Sequence, residues 1–472
     1  MNWIKCYCKI EEREEFINKK NYLIKIIIFF FLFIAINFYI YQINSKKIEL
    51  KKNYLITQKD LNLVFNNIIK NKIRIGIYIY NLKNGGTQRI TSLLLNYFYK
   101  LKLFDLFLFT QKKKEENEYF IPKTVKRIMI KDCKMKILIK EIQKNKINIL
   151  IYQFPNYEGI NILNKLKNIK IIFYQHYSFF YWIYYNYSYF KKIYRAYKNS
   201  KYIISIIPLE NNYLFKKWGI NSILMNNFIT YEYSKVIPSD LTSKSILMIG
   251  RGKDKLKRYI LGIEAMEYIK IQLPECEMKF ISNVSQIDYI QKISHNFNLN
   301  NNINYIEYSS IPEIYFKNIS LHIFPTISES FGLVLCETKI YGIPTILLGL
   351  DYVYISNGGT INIYDDTAES ISIQAIKILK KADYLTQLGK DARKSMKAFN
   401  NKKLYLKWIK VILSIYNGDI YYEHLRNQDI LLSKKAQLKI IRNQLINLNI
   451  NFIPFCHCFQ VCMYIFLNAI YC

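Results

Sequence analysis

One pattern decides what this chain can fold into. Short apolar runs alternate with amphipathic helical stretches, and the whole alternation occurs twice. The run "IRIGIYIY" (73–80) leads into the turn "NLKNGG" and then "TQRITSLLLNYFYKL", whose apolar residues recur at helical spacing. Further strand-like runs lie at 103–109, 148–153, 170–174 and 202–206, with helical stretches between them. A polar segment, "TYEYSKVIPSDLTSKS" (230–245), then reads as an interdomain linker. Beyond it the pattern restarts with "ILMIG" (246–250), "MKFIS" (278–282), "INYIEY" (303–308), "LHIFPT" (321–326) and "PTILLGL" (344–350). Helices are expected over "LKRYILGIEAMEYIK" and near 367–380, 383–398 and 402–416, the last three closing the second domain. Strands that alternate with helices require a parallel sheet.

The expected fold class is therefore α/β, with two Rossmann-like domains behind an N-terminal transmembrane helix. The expected division is an N-terminal segment (1–22), an anchor (23–43), a stalk (44–71), a first domain (72–232), a second domain (233–400), a closing helix (401–418) and a basic, apolar tail (419–472). The anchor rests on 26–43, an uncharged stretch near the minimum length that spans a bilayer. The mixed-charge segment before it and the lack of a small-residue cleavage site favour a retained anchor over a removed signal peptide. Lysines flank both sides, so the positive-inside rule gives no vote on orientation. A single-pass membrane location follows, in ER or Golgi if the source is eukaryotic. Asn186, Asn283 and Asn318 begin glycosylation sequons, but such triplets arise by chance in an Asn-rich chain.

Composition narrows the classes further. Of the 472 residues 51% are hydrophobic, which excludes global disorder. The formal charge of +33 points to phosphates or an acidic membrane surface, yet most of it matches a Lys-rich codon bias, as do the 42 tyrosines. Neither zinc-finger spacing nor an RNA-binding aromatic signature accompanies the charge, so nucleic acid is not an expected partner. Nine cysteines do not form a secreted disulfide pattern. Cys133, Cys276 and Cys336 read as isolated buried thiols, and the tail's Cys456, His457, Cys458 and Cys462 fit no common structural zinc spacing.

Ligands of parallel α/β sheets bind beyond the carboxyl ends of the strands. Four features are expected there. Gly85 and Gly86 follow the first strand, where glycine lets backbone approach a phosphate, though taken alone the pair is better explained by a simple tight turn. In "GRGKDKLKRY" (250–259), Arg251 and Lys257 can converge on a diphosphate, or simply line a solvated basic loop. In "SESFGLVLCETKIYG" (328–342), Gly332 opens a helix whose free amides suit a phosphate, with Glu329 ahead of it and Glu337 about one turn inside. The fourth is "NGGT" (357–360), read as a glycine loop after a strand.

Together, "NGGTQR", "GRGKDKLK" and "SESFGLVLCETKIYGIP" resemble the retaining glycosyltransferases of family 4, which have the two-domain GT-B fold. The resemblance covers about 72–416 and is stronger in the second half. It implies that Arg251 and Lys257 neutralise the diphosphate of a nucleotide-sugar, UDP- or GDP-linked. Glu329 would bind the hydroxyls of the donor sugar and Glu337 the ribose diol. Amides near Phe331, Gly332 and Leu333, and the Gly85–Gly86 loop, would contact the phosphates. His176, in "IIFYQHYSFF", matches the family's histidine facing the donor sugar; a lone histidine is as often a satisfied core residue. The implied enzyme is a metal-independent hexosyltransferase without a cofactor, its acceptor a glycan, a lipid-linked glycan or a protein. Both cytosolic and lumenal acceptors fit. The sequence departs from the family's pattern at Gly252, at Arg258, where glycine is usual, and at Thr338 and Lys339, where small and apolar residues are usual.

Three other readings compete. A glycoside hydrolase would use the two glutamates as acid and base but leaves Arg251 and Lys257 unexplained. A GT-B nucleotide-sugar epimerase uses the same donor site. A non-catalytic sugar-nucleotide or membrane-binding protein needs neither the paired glutamates nor the paired cations.

Overall fold

The computed structural model describes residues 72–418, apart from 84, 132–133, 154, 178–185, 252–255, 309–311, 351–354, 356 and 400. The expected anchor, stalk and tail, and Cys133, lie outside the described residues. No helix among the described residues is long and apolar enough to cross a membrane.

The first half builds β1 (Ile73–Ile79), α1 (Gly86–Leu101), β2 (Phe104–Thr110), β3 (Lys126–Met129), α2 (Met135–Lys144), β4 (Ile149–Gln153), α3 (Tyr157–Leu163), β5 (Lys170–Tyr174), α4 (Tyr187–Tyr197), β6 (Tyr202–Ser205), α5 (Pro208–Trp218) and β7 (Ile223–Leu224). The strands form one sheet in the order β3-β2-β1-β4-β5-β6-β7. Every pairing in it is parallel. Such strands are covered on both faces, which is why β1, β4 and β6 are nearly continuous buried runs. α1 buries Ile90, Leu94 and Phe98, one turn apart, beside Thr91 and Leu95. α5 starts with proline in its first turn and stops at Gly219 in the left-handed region.

The second half builds β8 (Ser245–Ile249), α6 (Tyr259–Gln272), β9 (Glu277–Ser282), α7 (Val284–Asn296), β10 (Ile303–Glu307), β11 (Leu321–Phe324), α8 (Leu333–Ile340), β12 (Thr345–Leu348), β13 (Thr360–Ile363), α9 (Ala368–Leu379), α10 (Ala382–Ser395) and α11 (Asn401–Asn417). Its order, β10-β9-β8-β11-β12-β13, repeats the first sheet's 3-2-1-4-5-6 winding, and the pairings are again parallel. Alternation along β8 divides the core. Ile246 and Met248 face one apolar cluster with α6 and α9 residues. Leu247 and Ile249 belong to a second cluster that runs on into the first domain.

The structure departs from the sequence reading at several elements. β3, β7 and β13 were not anticipated. α11 does not close the second domain; it packs on the first. Trp408 lies 6.2 Å from Phe98 and 5.5 Å from Tyr174, ring to ring, and Tyr405 stacks on Tyr97 at 3.6 Å. The "NGGT" loop does not follow a strand's carboxyl end. It opens β13, where Gly359 O accepts from Thr345 N, at the end of the sheet away from the cleft. Its glycines serve packing, since a Cβ on Gly359 would collide with Ala392 and the Leu388 carbonyl of α10.

Candidate functional site

In each sheet the winding reverses between the first and fourth strands of the domain, β1/β4 and β8/β11. The crevice beyond their carboxyl ends is where ligands of such sheets sit. Gly85 and Gly86 follow β1, Gly250 and Arg251 leave β8, and residues 325–332 leave β11. All three face this crevice without any further folding rule.

The two domains meet there. A Cβ on Gly86 would stand 3.2 Å from Leu333 Cδ1, so the first-domain glycine loop lies against the start of α8. Gly332 caps α8 without any side-chain hydrogen bond, and Cys336 N, 3.0 Å from Gly332 O, is the first amide bonded back into the helix. The amides of Leu333, Val334 and Leu335 are thus not bonded back into the helix, and those of the partly exposed Leu333 and Val334 lie at its positive end, where an anion is favoured. Phe331 contributes only backbone here, for its ring is buried 6.0 Å from that of Phe399.

Lys257 and Glu329 are brought together. The ammonium donates to Glu329 Oε1 and lies 5.5 Å from the Phe324 ring centroid at the end of β11. Two bonds tie their loops: Ile327 N and Thr326 Oγ1 donate to Leu256 O at 3.0 and 3.1 Å. Gly250 has φ of 145°, and a Cβ there would collide with the Tyr259 hydroxyl, which itself donates to Ile249 O at 2.5 Å. Glycine is therefore required where the basic loop begins. Arg251 follows it, exposed. Arg258 takes the left-handed conformation at φ 51°, which explains why glycine is usual there. Its guanidinium pairs with Asp366 at 3.0 Å.

His176 lies two residues past β5, on the same edge of the first sheet. Its Nε2 donates to the amide oxygen of Gln153 at the end of β4, leaving Nδ1 as the acceptor. Burial lowers its pKa to about 3, so it is a neutral hydrogen-bonding group at physiological pH. Its ring packs 4.0 Å from that of Tyr174, whose hydroxyl donates to Asn227 at 3.0 Å.

Glu337 is buried one turn into α8, but its partners were not foreseen. Arg89 of α1 donates from Nη1 to Glu337 Oε1, and Thr230 Oγ1 donates to the same oxygen at 2.7 Å. Arg89 also donates to the hydroxyls of Tyr308 and, at 3.4 Å, Tyr119. A signal existed, because Arg89 falls three residues after Gly86 in "NGGTQR", on the same face of α1. Lys339 is the other departure now explained. Fully buried, it donates to the carbonyls of Ile355 and Asn357, and burial lowers its pKa to about 8. Among the described residues no group of three or more His, Cys, Asp or Glu is placed to hold a metal.

Residues 230–395 match the family model described as glycosyl transferases group 1. No curated protein matches the chain. Among solved structures, sucrose-phosphate synthase from Thermosynechococcus elongatus is similar at 16% identity and TM-score 0.60, over 74% of this chain and 100% of that one. S. aureus TarM, a variant in complex with fondaparinux, α-GlcNAc-glycerol and UDP, is similar at 12% identity and TM-score 0.58, over 72% and 99%. Anabaena HepE in complex with UDP-glucose is similar at 10% identity and TM-score 0.57, over 72% and 100%. At these identities the likeness is one of fold: two parallel-sheet α/β domains, consistent with the GT-B architecture.

Proposed function

We propose that this chain is a retaining glycosyltransferase of family 4 type that moves a hexose from a UDP- or GDP-linked donor to a glycan, lipid-linked or protein acceptor. The observation that carries the proposal is the convergence of Lys257, Glu329 and the open start of α8 at one crevice, inside the segment that matches the group 1 model. UDP and UDP-glucose in the similar structures favour a UDP-sugar. In this reading the second domain, 233–400, takes the donor, and the first, 72–232, takes the acceptor. Segment 23–43 anchors the enzyme to a membrane.

The chemistry follows from where charge develops. As the glycosidic bond breaks, negative charge grows on the leaving diphosphate. In this reading Lys257, Arg251 and the amides of Leu333 and Val334 surround it and interact most strongly at the transition state. Retention places the acceptor on the leaving group's own face, so the departing phosphate oxygen takes the acceptor's proton. No carboxylate nucleophile and no metal is needed. Glu329 then binds sugar hydroxyls, Glu337 the ribose diol, and His176 donates or accepts as a neutral imidazole. Donor entry releases Lys257 from Glu329, which frees both for their own partners.

The test incubates the full chain with a panel of UDP- and GDP-sugars, with and without lipid-linked and glycan acceptors, and follows nucleotide release. Lys257→Ala and Glu329→Ala should each lower turnover by about 10²-fold or more while the thermal midpoint stays within a few degrees. Absence of turnover and of nucleotide binding across the panel would sink the proposal.

A further inference from the structure

Arg89 has no part in the reaction as derived above, yet it is the best-connected cation in the cleft. Its guanidinium starts on α1 of the first domain and meets Glu337 on α8 and Tyr308 just past β10 of the second. On the way it bonds Thr230 in the linker, with Nη1 3.2 Å from Oγ1. Its side chain is 12% exposed and that of Glu337 2%. Burial alone would lower the arginine's pKa, but Glu337 and the oxygens of Tyr119 and Tyr308 outweigh it and raise the pKa, so the cation persists at every accessible pH. Both bonds to Glu337, from Arg89 and from Thr230, fall on Oε1; among the described residues none falls on Oε2.

We propose that Arg89 is a positioning residue: together with Thr230 it pins Oε1 of Glu337 so that Oε2 is the oxygen offered to the ribose diol of the donor nucleotide. The inference rests on the donor-site reading above. A carboxylate end group has a broad torsional well and by itself accepts from many directions. Held at one oxygen, it becomes a single directed acceptor. A ligand that lacks the matching hydroxyl then leaves a buried acceptor unpaired, and this is the situation that discriminates best. A bridge that merely held the domains together would weaken every nucleotide alike.

The experiment is calorimetric titration of the full chain with UDP, GDP, 2′-deoxy-UDP and 2′-deoxy-GDP. Wild type should prefer the ribonucleotide by about 10-fold or more, and Glu337→Gln should lose most of that preference. Arg89→Met should shrink the ratio to about 3-fold or less while the deoxynucleotide affinity changes little. Thr230→Val, a far smaller change, should give an intermediate ratio and carries the test if Arg89→Met does not fold. Arg89→Lys keeps the charge without the fork and should restore the ratio only in part. A full ribose preference in Arg89→Met and Thr230→Val, with Glu337→Gln impaired, overturns the positioning role and leaves the donor site standing. A wild type that binds ribo- and deoxynucleotides equally, or neither, overturns the donor-site reading and the proposal with it.

Discussion

Removing Arg89 should cost stability, and the burial of its partner sets the size. In Arg89→Met the Glu337 carboxylate, 2% exposed, keeps only the Thr230 hydroxyl. Breaking a buried pair from one side costs about 3–5 kcal/mol. The expected penalty is about 3 kcal/mol, at the lower end of that range because Thr230 still donates to the stranded carboxylate. Glu337→Met should cost less, because the stranded Arg89 is 12% exposed and keeps the hydroxyls of Tyr119, Tyr308 and Thr230. The double variant, apolar on both sides, should lose less than the two singles together by about 2 kcal/mol. The assay is scanning calorimetry of the four proteins at pH 7, where about 3 kcal/mol moves the midpoint of domains this size by roughly 6–12 °C. Additive single and double effects, or an Arg89→Met midpoint within about 2 °C of wild type, would show that the two side chains are not coupled.

Two further outcomes are expected. Gly250→Ala should destabilise by about 2–4 kcal/mol and lower turnover, since its Cβ would drive Tyr259 off Ile249 O at the root of the basic loop; a wild-type melting midpoint would contradict this. His176 and His322 are both held neutral by burial, with pKa values lowered to about 3. Their contribution is complete above the unfolded value near 6.5 and is lost as pH falls toward 3, each adding about 1.4 kcal/mol per unit of acid destabilisation across that window. Midpoints measured from pH 7 to 4 should show this slope, and His322→Asn should flatten it; an unchanged slope would show that the ring charges without penalty.

Much of this architecture could be read from sequence because strands covered on both faces must be continuous apolar runs, as in "IRIGIYI" and "ILMI". The missed strands lack that property. β3 is "KRIM" at the sheet edge, with its lysine exposed, and β7 is only two residues long. β13 stood behind a glycine pair that reads equally well as any loop, so its end of the sheet was misjudged. The cluster Lys257–Glu329–Gly332 was legible because each member lies between a strand and the helix that follows it. Arg89 with Glu337 was not, since 248 positions separate them and no local period connects them. The roles of such pairs are written in the winding of two domains against each other, which spacing within either domain does not encode.

The return of α11 to the first domain bears on how the protein is made. Trp408 fills a socket walled by Phe98 and Tyr174, and Tyr405 covers Tyr97 and Phe228. A ribosome adds more than two hundred residues between Tyr174 and Trp408, which takes about 10–50 s at ordinary elongation rates. For that interval the nascent first domain presents an open aromatic groove, while the second domain is still emerging. The stopper for the first domain is thus made only after the second domain's sheet, and the growing chain is a natural client for chaperones until it arrives.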